Sequence, residues 1–124
     1  MAIWKADELT RIGGAEEVQI EVRGRGAKPR RPVTIWVVRS GDDLFIRSVR
    51  GARGAWFRAV QATHEGRISG GGVTKDVVFE EAGPSVNDQV DAAYRTKYRR
   101  YAGRILNSCL TPEARSTTLR IVPR

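Results

Sequence analysis

Cysteine and histidine are almost missing from this chain: Cys109 and His64 are each the sole example in 124 residues. A single cysteine excludes an intrachain disulfide, and one cysteine with one histidine excludes any multi-Cys metal site. No apolar run approaches the ~20 residues a membrane span needs. The stretch Met1–Asp7 has neither a secretory pattern nor a lipidation signal. These absences predict a cytoplasmic protein that makes no membrane contact. Repeats, linkers and low-complexity tracts are also lacking, so residues 1–124 read as one domain.

Self-contained hydrolytic chemistry is equally short of parts. His64 sits at the end of a predicted helix, where a favourable place against the helix dipole accounts for it. Cys109 lies among Leu106, Ser108 and Leu110 and reads as a small buried hydrophobe. The carboxylates come as exposed pairs at Glu16-Glu17, Asp42-Asp43 and Glu80-Glu81. Gly24-Arg25-Gly26 lacks the third glycine and following helix of a dinucleotide fingerprint. No catalytic residue can be named from this inventory.

What is present in excess is positive charge. The formal charge is +8, carried by 18 Arg and 4 Lys, and it favours an anionic partner. A GC-rich genome alone would supply some of that arginine, so position matters more than number. The basic residues fall into three clusters: Arg23 to Arg31; Arg47, Arg50, Arg53 and Arg58; and Arg95 to Arg104. The first two occupy Gly/Pro-containing connections, where side chains and free N–H groups can converge on phosphate. The third lies on a predicted long helix.

Periodicity gives the elements. Residues 5–12 read as a helix stopped by Gly13-Gly14, and Val18, Ile20 and Val22 alternate with polar residues in a half-buried strand. Residues 24–32 contain too much Gly and Pro for regular structure. Val33 to Arg39 is apolar on both faces and reads as a central strand, followed by a turn at Gly41-Asp42-Asp43 and a returning strand from Leu44 to Val49. A short helix from Ala55 to Thr63 offers Trp56, Phe57 and Val60 as its buried face. Strands at 66–70 and 73–80 flank Gly70-Gly71-Gly72. A long helix then starts at Pro84-Ser85, with Ser85 as N-cap, Asp88 completing a capping pair, and Val86, Val90, Tyr94, Lys97 and Tyr101 on one stripe ahead of a stop at Gly103. Thr111-Pro112 opens a last helix, and Leu119 and Ile121 belong to a closing strand. The fold expected is α+β, a six-stranded antiparallel barrel with a short N-terminal helix, a short helix after strand 3 and a long helix in the C-terminal half.

The residues Lys28-Pro29-Arg30-Arg31-Pro32-Val33-Thr34-Ile35-Trp36, Ile46 to Gly51, Gly54-Ala55-Trp56-Phe57-Arg58, Lys75 to Phe79, Asp91 to Tyr98, Thr111 to Arg115 and Leu119 to Arg124 resemble the flavin/deazaflavin (FMN-binding, nitroreductase-like) split-barrel superfamily, and within it a bacterial family of unknown function. The resemblance spans residues 5–124. It implies a six-stranded split barrel and a homodimer with cofactor sites at the subunit interface. It also implies FMN or a deazaflavin coenzyme acting by hydride transfer on a small organic substrate, although some members bind haem or nothing known. Arg25 and Arg30 match the superfamily's phosphate loop, and Lys28 and Arg31 adjoin it. Ser48, Arg50 and Gly51, then Trp56 and Phe57, match the segment that runs along the cofactor. Two other readings stand beside this one: a cofactor-free module binding a small ligand or anion on the same barrel, and non-specific nucleic-acid binding, for which the basic helix is the best argument.

Overall fold

In the computed structural model, the residues described are 3–23 and 31–124. The chain opens with α1 (Ala6–Gly14) and β1 (Val18–Val22), then β2 (Val33–Ile35), β3 (Val38–Ser40) and β4 (Asp43–Ile46). Helix α2 (Ala55–Thr63) leads into the hairpin of β5 (Glu65–Gly70) and β6 (Val73–Glu81). Helices α3 (Asn87–Lys97), α4 (Arg104–Asn107) and α5 (Pro112–Arg115) precede β7 (Leu119–Pro123).

The seven strands form one antiparallel sheet in the order β2-β1-β5-β6-β7-β4-β3. Strands β2 and β3, neighbours in sequence, therefore lie at opposite edges. The two residues between them, Trp36 and Val37, carry the chain from one edge to the other, which curls the sheet into a split barrel. This corrects the expectation of one central strand over 33–39, and it accounts for seven strands where six were expected. A strand that must serve both edges has to break. The backbone groups freed at the break are satisfied from the C-terminal end of α3 and the residue after it: the Val37 N–H donates to the Tyr98 hydroxyl (3.3 Å), and Lys97 Nζ donates to the Val37 carbonyl (2.6 Å).

Two apolar clusters explain why this segment is apolar on both faces. Val37 belongs to the larger one, with Val18, Ile20, Ile68 and Ile121 from the strands, Leu9 and Ile12 from α1, and Phe57 and Val60 from α2. Val38 belongs to the other, with Phe45, Val90, Tyr94 and Tyr98, between the sheet and α3. Each fully buried side chain of this size contributes roughly 1.5–3 kcal/mol.

Helix α3 differs from its sequence reading at both ends. Pro84–Val86 is a 3-10 turn, and α3 starts at Asn87 with no side-chain cap. Ser85 is exposed, and Asp88 instead pairs with Arg115 (2.8 Å). Asn87 is turned inward, where its Oδ1 accepts from the Thr118 hydroxyl at 2.8 Å. At the other end α3 stops at Lys97 and is followed by a 3-10 turn over Arg99–Tyr101, so no continuous basic helix reaches Arg104. Its buried apolar stripe is Val90 and Tyr94, continued by Tyr98 just past its end. By contrast, α2 has the bounds expected. So does the cap on α5, where the Thr111 hydroxyl accepts from the Ala114 N–H at 3.1 Å.

Candidate functional site

The segment from Ser48 to Trp56 folds back on itself. The Gly51 N–H donates to the Ser48 carbonyl (3.0 Å), and the Ser48 hydroxyl donates to the Gly51 carbonyl (2.9 Å). Thr117 accepts from the Ser48 N–H at 2.8 Å and ties the segment to the chain before β7. Gly51 has φ +66°, and a Cβ there would stand 3.1 Å from that of Glu113. At Gly54 a Cβ would fall 2.5 Å from the Ser48 hydroxyl oxygen. Glycine is thus required twice for the turn to close this tightly.

The turn delivers α2 with an open N-terminus. Gly54 precedes the helix, no side chain caps it, and its first turn has no acidic residue. The first N–H groups and the helix dipole there favour a negative charge. Gly54 and Ala55 line a groove of about 480 Å³ together with Arg31, Ser48, Arg50 and Trp56, closed on its apolar side by Val22 and Val33. Arg31 and Arg50 are exposed and form no ion pair among the described residues.

The groove continues past Val33, Val49 and Trp56 into a second hollow of about 300 Å³. Its walls are Trp36, Tyr94 and Ile105, with Arg47 and Cys109 at its base. Trp36 is stacked flat on Tyr98, with ring centroids 3.8 Å apart and planes 4° from parallel. Val49 and Ile105 are 53% and 57% exposed, the most open large apolar side chains after Ile3. The groove therefore has a cationic end and an aromatic, apolar end.

Of the residues singled out from sequence, Arg31, Ser48, Arg50 and Trp56 line one groove, and Gly51 shapes its edge without lining it. Arg25, Lys28 and Arg30 lie outside the described residues. Phe57 turns away: it is buried in the larger core cluster, edge-on to half-buried Trp56. Of the two adjacent aromatics, one packs inward and its neighbour faces the groove.

Arg47, counted with the second basic cluster, is withdrawn from any ligand. Its side chain is fully buried, and it pairs with Asp91 (2.5 Å). It also donates to the Cys109 carbonyl (2.9 Å), the Thr118 hydroxyl (2.9 Å) and Asn87. Burial pushes the Cys109 thiol up, outweighing the Ser108 hydrogen bond and the Arg47 charge that pull it down. The thiol stays protonated near neutral pH and is no nucleophile. No cluster of metal-ligating side chains occurs among the described residues, and no described helix is long and apolar enough to cross a membrane. Sequence reading missed Trp36 and Ile105 as groove walls. For Trp36 the signal was a strand with too many apolar residues for one buried face.

Solved structures with this fold include an F420 reductase (16% identity, TM-score 0.59, covering 94% of this chain and 90% of that one). A FAD-binding protein from Mesorhizobium loti aligns at 17% identity and TM-score 0.60, covering 98% and 91%. A FAD and heme binding protein from Mycobacterium smegmatis aligns at 14% identity and TM-score 0.56, covering 95% and 65%. At these identities the likeness establishes the split-barrel fold. No curated protein matches the sequence. Residues 8–121 match the model of a bacterial family, and the chain belongs to that family, described as an uncharacterized protein conserved in bacteria (DUF2255).

Proposed function

We propose that this protein binds a phosphate-bearing flavin-type cofactor, FMN or a deazaflavin, in the groove between β2 and the N-terminus of α2. The observation that carries the reading is the pairing of an uncapped helix N-terminus and two exposed arginines with an adjoining aromatic wall. Arg31, Arg50 and the first N–H groups of α2 would hold phosphate, and Trp56, Val33 and Val49 would flank the flat ring. These residues fit such a molecule in charge and in shape. When bound, the cofactor would supply hydride chemistry toward a small organic substrate, for which the hollow beside Trp36 and Ile105 offers an apolar seat. The protein's own part would be binding, orientation and exclusion of water.

Tyr94 of α3 and Tyr98 just beyond its end are already buried within the protomer, so they add nothing to an interface. Beside the groove, the apolar surface left open among the described residues is Val49, Ile105 and the edge strand β2. A second copy covering it would complete a homodimer and close the groove. Light scattering at micromolar concentration should give the mass of a dimer; a monomer would remove this part of the proposal.

The test is titration of the purified protein with FMN and with a deazaflavin, followed by tryptophan fluorescence. Binding should quench emission, and Trp56→Leu should abolish most of the quench while the protein stays folded. A charge-assisted bond to phosphate contributes roughly 1.5–3 kcal/mol, so Arg50→Ala should weaken binding about tenfold or more. Absence of binding by either cofactor, or unchanged affinity in Arg50→Ala and Arg31→Ala alike, would overturn the reading.

A further inference from the structure

A separate cavity of about 320 Å³ lies between the α1–β1 connection and the end of α3, lined by Gly14, Glu16, Lys97, Tyr98, Arg99 and Arg100. It shares no residue with the groove. Lys97 is half-buried there. Its Nζ donates to the Val37 carbonyl and lies 5.0 Å from the Tyr98 ring centroid. Neither contact supplies a counter-ion. The carboxylate whose charge it feels, Glu16, is engaged by the Arg100 guanidinium and the Tyr101 hydroxyl. Among the described residues Lys97 makes no ion pair, and exposed Arg99 beside it makes none either. The charged and titratable groups around the amine are thus Glu16, Tyr98, Tyr101, Arg99 and Arg100.

An ammonium held this way is easier to deprotonate. Burial pulls Lys97 from the ordinary 10.5 down to about 8, against the opposing pull of Glu16. At pH 7.5 the neutral fraction then rises from about 0.1% to roughly a quarter. A half-buried amine with this neutral share, in one cavity with an unpaired guanidinium, suits a carbonyl compound that also carries an anion.

We propose that Lys97 is the nucleophilic amine of a second site, which condenses reversibly with a small aldehyde bearing a carboxylate held by Arg99. The amine lone pair forms a C–N bond to the carbonyl carbon, and the carbonyl oxygen takes up two protons, both from the amine nitrogen by way of solvent. That oxygen then leaves as water, so a C=N bond replaces C=O with no oxidant or reductant consumed.

The test incubates the full-length protein with glyoxylate and cyanoborohydride, which traps the C=N bond as a carboxymethyl group, and maps the adduct by peptide mass spectrometry. With only 4 lysines in the chain, Lys5 and Lys75 serve as internal references. At pH 7.5 Lys97 should be labelled at least about 30-fold faster than Lys5, with a rate half-maximal near pH 8, against roughly 10.4 for an ordinary lysine. Arg99→Ala, a surface change, should slow labelling by glyoxylate about tenfold and leave labelling by uncharged formaldehyde unchanged. Equal labelling of Lys97 and Lys5 would overturn the proposal. So would fast labelling by formaldehyde alone, or an Arg99→Ala variant that reacts with glyoxylate at the wild-type rate.

Discussion

Replacing Arg47 by methionine tests the assignment of this arginine to the interior. Five hydrogen bonds end on its guanidinium, to Asp91, Thr118, the Cys109 carbonyl and two oxygens of Asn87. Methionine fills much of the volume and answers none of these acceptors. Asp91, only 10% exposed at its side chain, would keep Arg115 Nε at 3.2 Å and lose its closer partner. Breaking a buried pair from one side costs about 3–5 kcal/mol, and the remaining contact to Arg115 places Arg47→Met toward the lower end. With roughly 2.1 cal/mol/K of unfolding entropy per residue, the 124-residue chain loses about 4 °C of Tm per kcal/mol, so the variant should melt roughly 12–16 °C lower. Thermal unfolding followed by circular dichroism reads this directly. Adding Asp91→Leu should recover about half of the loss or more, because apolar replacement of both partners removes the stranded charge. A fall of less than about 4 °C for Arg47→Met, or no recovery in the double variant, would refute the reasoning.

Two further outcomes follow from the same geometry. Gly71 and Gly72 both have positive φ in the β5–β6 turn, but a Cβ at Gly71 would fall 2.1 Å from the Arg11 carbonyl oxygen, whereas one at Gly72 meets only the Arg11 guanidinium at 3.7 Å. Both alanine variants should lose about 1–2 kcal/mol to backbone strain, and Gly71→Ala should melt several degrees below Gly72→Ala; equal midpoints would show that the turn moves freely off α1. Stability should also depend on alkaline pH with a maximum. Lys97 titrates at about 8 when folded against 10.5 when free, so between those values the unfolded chain binds more protons and stability rises with pH. Burial pushes the hydroxyls of Tyr94 and Tyr98 upward, so above about pH 10, where unfolded tyrosines ionise, stability falls again. Urea midpoints measured from pH 7 to 11 on a Cys109→Ala background, which removes the opposing slope of the upward-shifted Cys109 thiol, should rise and then fall, and a flat profile between pH 8 and 10 there would contradict the burial of Lys97.

Where a few consecutive residues carry all the information, sequence and structure agree. The alternation Val18, Ile20, Val22 has one period and one buried face, and β1 adopts it. Helix α2 begins after Gly54 and ends at Thr63 because Gly and the residues around His64 break the helical pattern locally; His64 closes it in the left-handed region at φ 58°. Thr111-Pro112 caps α5 through a contact three residues long. The cationic turn beside Trp56 was legible for the same reason, since Arg50, Gly51, Gly54 and Trp56 are close in the chain.

Tertiary structure decided what depends on distant partners. A both-faces-apolar run such as 33–39 is equally consistent with a central strand and with one that breaks to serve both edges of a curled sheet; Tyr98 and Lys97, some 60 residues away, settle it by taking over the freed backbone groups. Ser85 and Asp88 have the spacing of a cap, yet Asn87 turns inward to Thr118 and Arg47 and starts the helix later. Arg47 and Arg50 look alike in one basic cluster, but Asp91 lies 44 residues from Arg47 and neutralises it inside the protein, while Arg50 remains exposed on the groove. Periodicity fixes which face a local element can bury. Which charge is spent internally, and which stays exposed, is set by contacts whose sequence separation leaves no local pattern.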